Sequence, residues 1–163
     1  MSLKLRGFTL IELLVVIAII GILATVVIGA VNSARTKGAD AAIKSNLQAL
    51  RVEAELWYDN NNGYVKGGAT FNHQACPTTY SASATNFFAG SQPSVNAIQA
   101  VNKQTPTPAT AMCYAATDTW YAYAALRVQN QFGTASGADF WCVDSTGNSK
   151  VVDTAPTSGT SCG

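Results

Sequence analysis

The chain is poor in the residues that most chemistry needs. Its 163 residues include one histidine, His73, and only 12% are charged, which is low for a soluble domain. From Gly67 to Asn102 there is no Asp, Glu, Lys or Arg at all. No Ser/His/Asp set, phosphate-binding glycine loop or nucleotide fingerprint is present, so no catalytic residue is assigned and the chain reads as a non-enzyme. The cysteines lack any Cys-x-x-Cys spacing, which disfavours zinc. A net charge of +1 does not indicate a nucleic-acid surface. His73 lies among Gly, Thr, Asn and Gln and reads as a solvated loop residue. Asp118, Asp139, Asp144 and Asp153 are scattered, with no ligand-dense loop for calcium. No metal or cofactor is implied.

Against this background one segment stands out. Phe8 to Val31 is apolar apart from two threonines and a single charge, Glu12. As a helix it would reach about 36 Å, enough to cross a hydrocarbon core of about 30 Å with some tilt. Lys4 and Arg6 precede it, so positive-inside bias keeps the N-terminus cytoplasmic and sends the remainder outward. Arg35 and Lys37 follow the span and weaken that bias. The run is long for a secretory signal peptide, and Gly29-Ala30-Val31-Asn32-Ser33-Ala34 is a poor cleavage site. An ionisable group inside a span costs about 2.5–3.5 kcal/mol near the centre and less near an end, so Glu12 is a functional candidate by default.

Arg6-Gly7-Phe8-Thr9-Leu10-Ile11-Glu12 and the apolar helix behind it resemble the N-terminus of type IV pilins and type II secretion pseudopilins. The resemblance covers residues 1 to 60 and is most specific over 4 to 24. It implies that a prepilin peptidase cuts between Gly7 and Phe8 on the cytoplasmic face and methylates the new amine of Phe8. It also implies that Glu12 pairs with the Phe8 amine of a neighbouring subunit. A carboxylate in a low-dielectric bundle needs such a partner. Many pilins have a helix-bending proline where this chain has Gly29, so the bend is not expected from the residues themselves. Loss of Lys4 and Arg6 with the leader would change the net charge from +1 to −1.

Roughly 130 residues lie beyond the span, enough for one small domain. Ile43, Leu47, Leu50, Ala54 and Trp57 form one apolar stripe at helical spacing. Asp40/Lys44 and Arg51/Glu55 are opposite charges four apart, suited to pairing on the helix surface. The first helix is expected from Phe8 to Tyr58, weakest over Asn32 to Gly38, and to stop at Asp59-Asn60-Asn61-Asn62-Gly63 with Gly63 as a left-handed cap. Gly67 to Asn102 reads as a long connecting loop anchored by Phe71, Tyr80, Phe87 and Phe88, with a short helix at Pro93 to Val101. Pro106 and Pro108 mark a linker.

Strands are expected at Trp120 to Val128, Asp139 to Asp144 and Ser149 to Asp153, with Ser145-Thr146-Gly147-Asn148 as a hairpin turn and a fourth strand at Met112 to Ala116. Trp57, Trp120 and Trp141 read as core residues. The fold class is α+β: a long N-terminal helix packed on a small antiparallel sheet. The divisions are 1–7 leader, 8–31 membrane and filament-core half of the helix, 32–58 amphipathic half, and 59–163 extracytoplasmic head with a β-meander.

Cys76, Cys113, Cys142 and Cys162 are even in number in an exported domain, which suggests disulfides. Three pairings are possible. The preferred one joins Cys76 to Cys113, closing the uncharged loop, and Cys142 to Cys162, fixing the tail.

The reading that follows from the resemblance is a structural subunit of a type IV pilus or type II secretion-like pseudopilus. It would be held in the inner membrane as a single-pass protein and polymerised with copies of itself into a surface or periplasmic filament for adhesion, motility, secretion or DNA uptake. Its partners would be the prepilin peptidase, the inner-membrane assembly machinery and the membrane. The alternative is a minor pilin whose head recognises a surface, DNA or secreted cargo.

Overall fold

A computed structural model describes residues 7–129, 137, 139–156 and 161–162. Lys4 and Arg6 of the basic leader lie outside the described residues. The chain divides into two compact units, Met1–Arg35 and Thr36–Gly163.

Helix α1 spans Leu10–Asn61 and is helical throughout, including Gly29 and the expected weak stretch from Asn32 to Gly38. In the first unit its apolar side chains are exposed. Phe8, Leu10 and Ile22 are 72, 76 and 67% exposed, and the large apolar residues out to Val31 are similarly open. In the second unit the same helix has a buried stripe of Asp40, Ile43, Leu47, Leu50 and Ala54, with Trp57 packed partly against the core. The helix closes one residue earlier than its glycine. Asn62, not Gly63, takes the left-handed conformation (φ 53°) and donates its N–H to Tyr58 O at 2.7 Å. Asparagine tolerates this region because its short polar side chain hydrogen-bonds locally. Gly63 is instead packed against Thr117, where a Cβ would lie 3.2 Å from the threonine side chain.

Five antiparallel strands follow in simple sequential order: β1 Phe71–Ala75, β2 Met112–Ala115, β3 Trp120–Ala125, β4 Phe140–Asp144 and β5 Ser149–Val152. The four C-terminal strands fall where alternation placed them, within a few residues. β1 is a correction, because the sequence around it was read as loop. Phe71-Asn72-His73-Gln74-Ala75 has no β-branched residue and sits at an edge, so neither propensity nor alternation marks it. A bulge between Phe71 and Gln74 breaks its period further.

Two short helices occupy the rest of the uncharged stretch. α2 (Phe87–Gly90) is capped by Asn86, whose side chain accepts from Ala89 N–H. α3 (Gln92–Gln104) is capped by Ser91, has Pro93 in its first turn, and buries Val95, Ile98 and Val101. It is longer than the expected Pro93 to Val101.

The alternation of β3 decides the layering. Trp120, Ala122 and Ala124 join the core shared with Ile43, Leu47, Leu50, Phe87, Phe88, Ile98 and Val143. Tyr121 and Tyr123 face the other side, with Cys142, Cys162 and partly buried Met112, Tyr114, Phe140 and Val152. Both faces of β3 are therefore covered, and all six of its residues are buried.

Neither helix-surface ion pair forms as expected, because tertiary partners outcompete it. Asp40 is buried, and its two oxygens accept the N–H groups of Arg127 (2.7 Å) and Val128 (3.0 Å) just after β3. Lys44 lies over the Trp141 ring, 4.9 Å from its centroid. Arg51 donates to Asn148 O in the β4–β5 turn. Glu55 accepts from Tyr64 Oη at 3.0 Å. Burial, then that bond to Glu55, pushes the Tyr64 phenol up to about 12. These contacts fasten the helix to the sheet more directly than pairs along its own surface would.

Asp144 is the densest polar node. Its carboxylate accepts from Thr146 N–H and Oγ1, Asn148 N–H and Nδ2, and Cys162 N–H at 2.8 to 3.0 Å. Burial alone would raise its pKa. The donors outweigh burial and hold it below the ordinary 3.8. The charged form therefore stabilises the head above the ordinary aspartate range, and this contribution is lost as pH falls through the depressed folded value.

Two predictions follow from this packing. Asp144→Asn should destabilise the detergent-extracted protein by about 1–3 kcal/mol at pH 7 in urea unfolding, because buried donors lose their acceptor charge. The gap between variant and parent should close as pH falls below the ordinary aspartate range, and a gap that stays constant with pH would contradict the assignment. At Gly90 a Cβ would overlap the Trp57 ring atoms Cη2 and Cζ3. Gly90→Ala should cost about 1–3 kcal/mol by overpacking and change Trp57 fluorescence, whereas unchanged stability would mean the indole moves aside freely.

Candidate functional site

The residues singled out near the N-terminus form one local arrangement. Thr9 caps α1, and Glu12 stands three residues on. Glu12 Oε2 accepts Thr9 N–H at 2.8 Å and Thr9 Oγ1 at 2.7 Å, while Glu12 N–H donates to Thr9 Oγ1 at 3.3 Å. This is a reciprocal capping box, in which threonine and glutamate satisfy donors that the first helical turn leaves open. The Thr9-x-x-Glu12 spacing carries this capping-box signal in the sequence itself, a signal that the reading of Glu12 as a lone charge leaves out.

The local bonds give the carboxylate a neutral partner set within its own helix. They leave Glu12 next to exposed Phe8, Ile11, Val15 and Val16, which line an open groove with it. Gly7 has open space around it, with nothing within 4 Å of a Cβ built there.

The helix behind this site is the second component. It has a mean hydropathy of 3.1 over its most apolar 18-residue window, and none of that window is buried. Among the described residues it is the one helix long and apolar enough to cross a membrane. An apolar face of this length is far beyond what a soluble monomer leaves open to water.

The remaining candidates lie in the head. Cys76 is bonded to Cys113 across the β1–β2 edge, with Cα atoms 4.9 Å apart, and Cys142 to Cys162, with Cα atoms 5.8 Å apart. Each closure is worth about 3–4 kcal/mol in the loop-entropy model. The aspartates do not converge. Asp118 is exposed, Asp139 is buried beside β4, and the oxygens of Asp144 are occupied by N–H and O–H donors, which would oppose a cation. No group of three His, Cys, Asp or Glu suited to a metal occurs among the described residues.

His73 is a correction. It is not a solvated loop residue but half-buried on β1, with Nε2 2.8 Å from Tyr123 Oη and its ring stacked on Tyr123. The extra residue of the bulge lies in the Phe71–Gln74 stretch that carries His73, and tertiary pairing of that kind leaves no local sequence signal.

Comparison with known proteins bears on the same N-terminal segment. Residues 4–28 match the family model of the prokaryotic N-terminal methylation motif. The chain is 42% identical over 64 residues to the type IV wide pilus major component PilA4 of Thermus thermophilus, covering 39% of this chain and 49% of that protein. It is 39% identical over 59 residues to the type IV major pilin protein PilA of Myxococcus xanthus, covering 36% of this chain and 27% of that one. The matches thus span half or less of these relatives. No solved structure matches the chain. The N-terminal segment, a methylation motif joined to a long apolar helix, is thus similar to that of the type IV pilins.

Proposed function

We infer that this protein is a structural subunit of a type IV pilus, stored in the inner membrane through residues 8–31 and polymerised with copies of itself through the same segment. The observation that carries this reading is the fully exposed apolar helix with one carboxylate near its start. Lipid covers such a helix in storage, and the equivalent helices of other subunits cover it in a filament. The two relatives are named major components of their pili, which favours a filament-building role over a scarce tip subunit.

Maturation at the Gly7–Phe8 bond fits this reading. A prepilin peptidase would remove residues 1–7 and methylate the amine of Phe8, which stays cationic. Glu12 would then exchange partners. In the single subunit its carboxylate is held by Thr9. Inside a bundle of apolar helices a charge without a cation costs several kcal/mol, and the Phe8 amine of a neighbour supplies that cation. Because any other stagger leaves both charges unmatched, the pair also sets axial register.

Intact mass of the membrane-extracted protein should show loss of residues 1–7 and gain of one methyl group. Gly7→Leu should abolish that change, and a chain beginning after Ala30 or Ala34 would instead mark an ordinary signal peptide. Glu12→Ala should leave export and both disulfides intact while filaments in the sheared fraction fall by about 10-fold or more, the loss expected from an uncompensated buried cation. Leu14→Ala, at a similar depth, should be much milder. Normal filament yield from Glu12→Ala cells would refute the pairing role.

A further inference from the structure

Surface charge in Thr36–Gly163 is distributed unevenly along α1. Near its start, Lys37, Asp40, Ala41, Lys44 and Val128 line a groove of about 250 Å³. The only carboxylate there, Asp40, is already occupied by the Arg127 and Val128 N–H groups, and Lys44 lies over Trp141. Lys37 is exposed and has no ion-pair partner among the described residues of its own chain.

The other end of α1 carries more acid than base, with Lys66 over the Trp57 ring as the cation there. Glu53 accepts from Ser91 Oγ at 2.6 Å and Glu55 from Tyr64 Oη. Asp59 is exposed and likewise has no ion-pair partner among the described residues. Asp118 adds a second exposed carboxylate in the turn where Thr117 O receives Tyr64 N–H, beside the end of the same helix.

We propose that a second copy of this chain docks here head to tail, with Lys37 of one copy against Asp59 of the next. The inference rests on the filament reading above and concerns a more distant neighbour along the filament than the one whose Phe8 amine meets Glu12. The two residues are 22 positions apart on α1, which corresponds to a stagger of about 33 Å between the paired copies. An offset of seven positions would instead bring Lys37 opposite Lys44 and oppose like charges.

The pair also accounts for a cost in the sequence. Arg35 and Lys37 stand immediately beyond the apolar run, on the side where positive charge works against the orientation of the span. A role after export gives Lys37 a reason to be there. A single exposed ion pair is weak, but one that recurs at every subunit and excludes other registers acts mainly on specificity.

The test is a charge swap in the full-length chain, expressed in cells that make the filament, with sheared filaments and the membrane pool quantified together. Lys37→Glu and Asp59→Lys should each lower filament yield by about 10-fold, because each sets like charges face to face. The double variant Lys37→Glu/Asp59→Lys should return to within about twofold of the parent, since the attraction is restored in reverse. Non-reducing peptide mapping for Cys76–Cys113 and Cys142–Cys162 checks that each head is folded. The neutral variants Lys37→Gln and Asp59→Asn, which introduce no repulsion, should show smaller losses that are not additive.

Single variants assembling at the parental level would overturn the proposal. So would a double variant no better than the singles. A defect of Lys37→Glu that Asp59→Lys leaves unrepaired would point to lipid headgroups rather than a second copy. Absence of the parent chain from any filament would overturn the filament reading itself, a result distinct from each of these.

Discussion

Water cannot cover the first part of α1. From Phe8 to Val31 nearly every side chain is apolar and open. At about 25 cal/mol per Å² of apolar surface, leaving it hydrated is far costlier than anything the small head gains by folding. In the function proposed above, the segment lies in lipid or against other copies. On that reading the capping box and the abrupt return to polar residues after Val31 suit a helix that moves between those two apolar surroundings.

That requirement explains the placement of Glu12. Near the helix start it is bonded by Thr9 and lies close to the membrane interface, so the subunit can wait in the bilayer without a second chain. Deeper in the helix the same carboxylate would have no such local donors. In the proposed function the capping box is a holding state, and assembly is the step that replaces neutral donors with a cation. The head is built on a different principle. It is fastened by Asp40 on the backbone after β3, Arg51 on the β4–β5 turn, Asp144 on the tail and two disulfides. Polar ties of that sort suit a domain whose apolar core is small and whose outer surface must tolerate solvent.

The sequence showed most plainly what depends on local period. The stripe of Ile43, Leu47, Leu50 and Ala54 lies buried as its spacing required, and the alternation of Trp120 to Ala125 marks the strand whose two faces organise the layers. What escaped it depends on contacts distant in the chain. β1 is polar, bulged and at an edge, so it becomes a strand through pairing with β2 and not through its own residues. His73 is half-buried against Tyr123, fifty positions away. Asp40 and Arg51 were suited to partners four residues on, yet backbone groups about 90 positions distant claimed them. At the helix start the reverse holds: Thr9-x-x-Glu12 is legible locally, and its dual use is visible only when the exposed helix behind it is considered.

Electron cryomicroscopy of sheared filaments from cells producing this chain addresses the central claim most directly. The account predicts filaments built from this chain, with residues 8–31 packed as a solvent-free core and Glu12 within hydrogen-bonding distance of the Phe8 amine of another copy. Filaments in which the 8–31 helices stand apart in solvent, or in which Glu12 remains bonded only to its own Thr9, would contradict it.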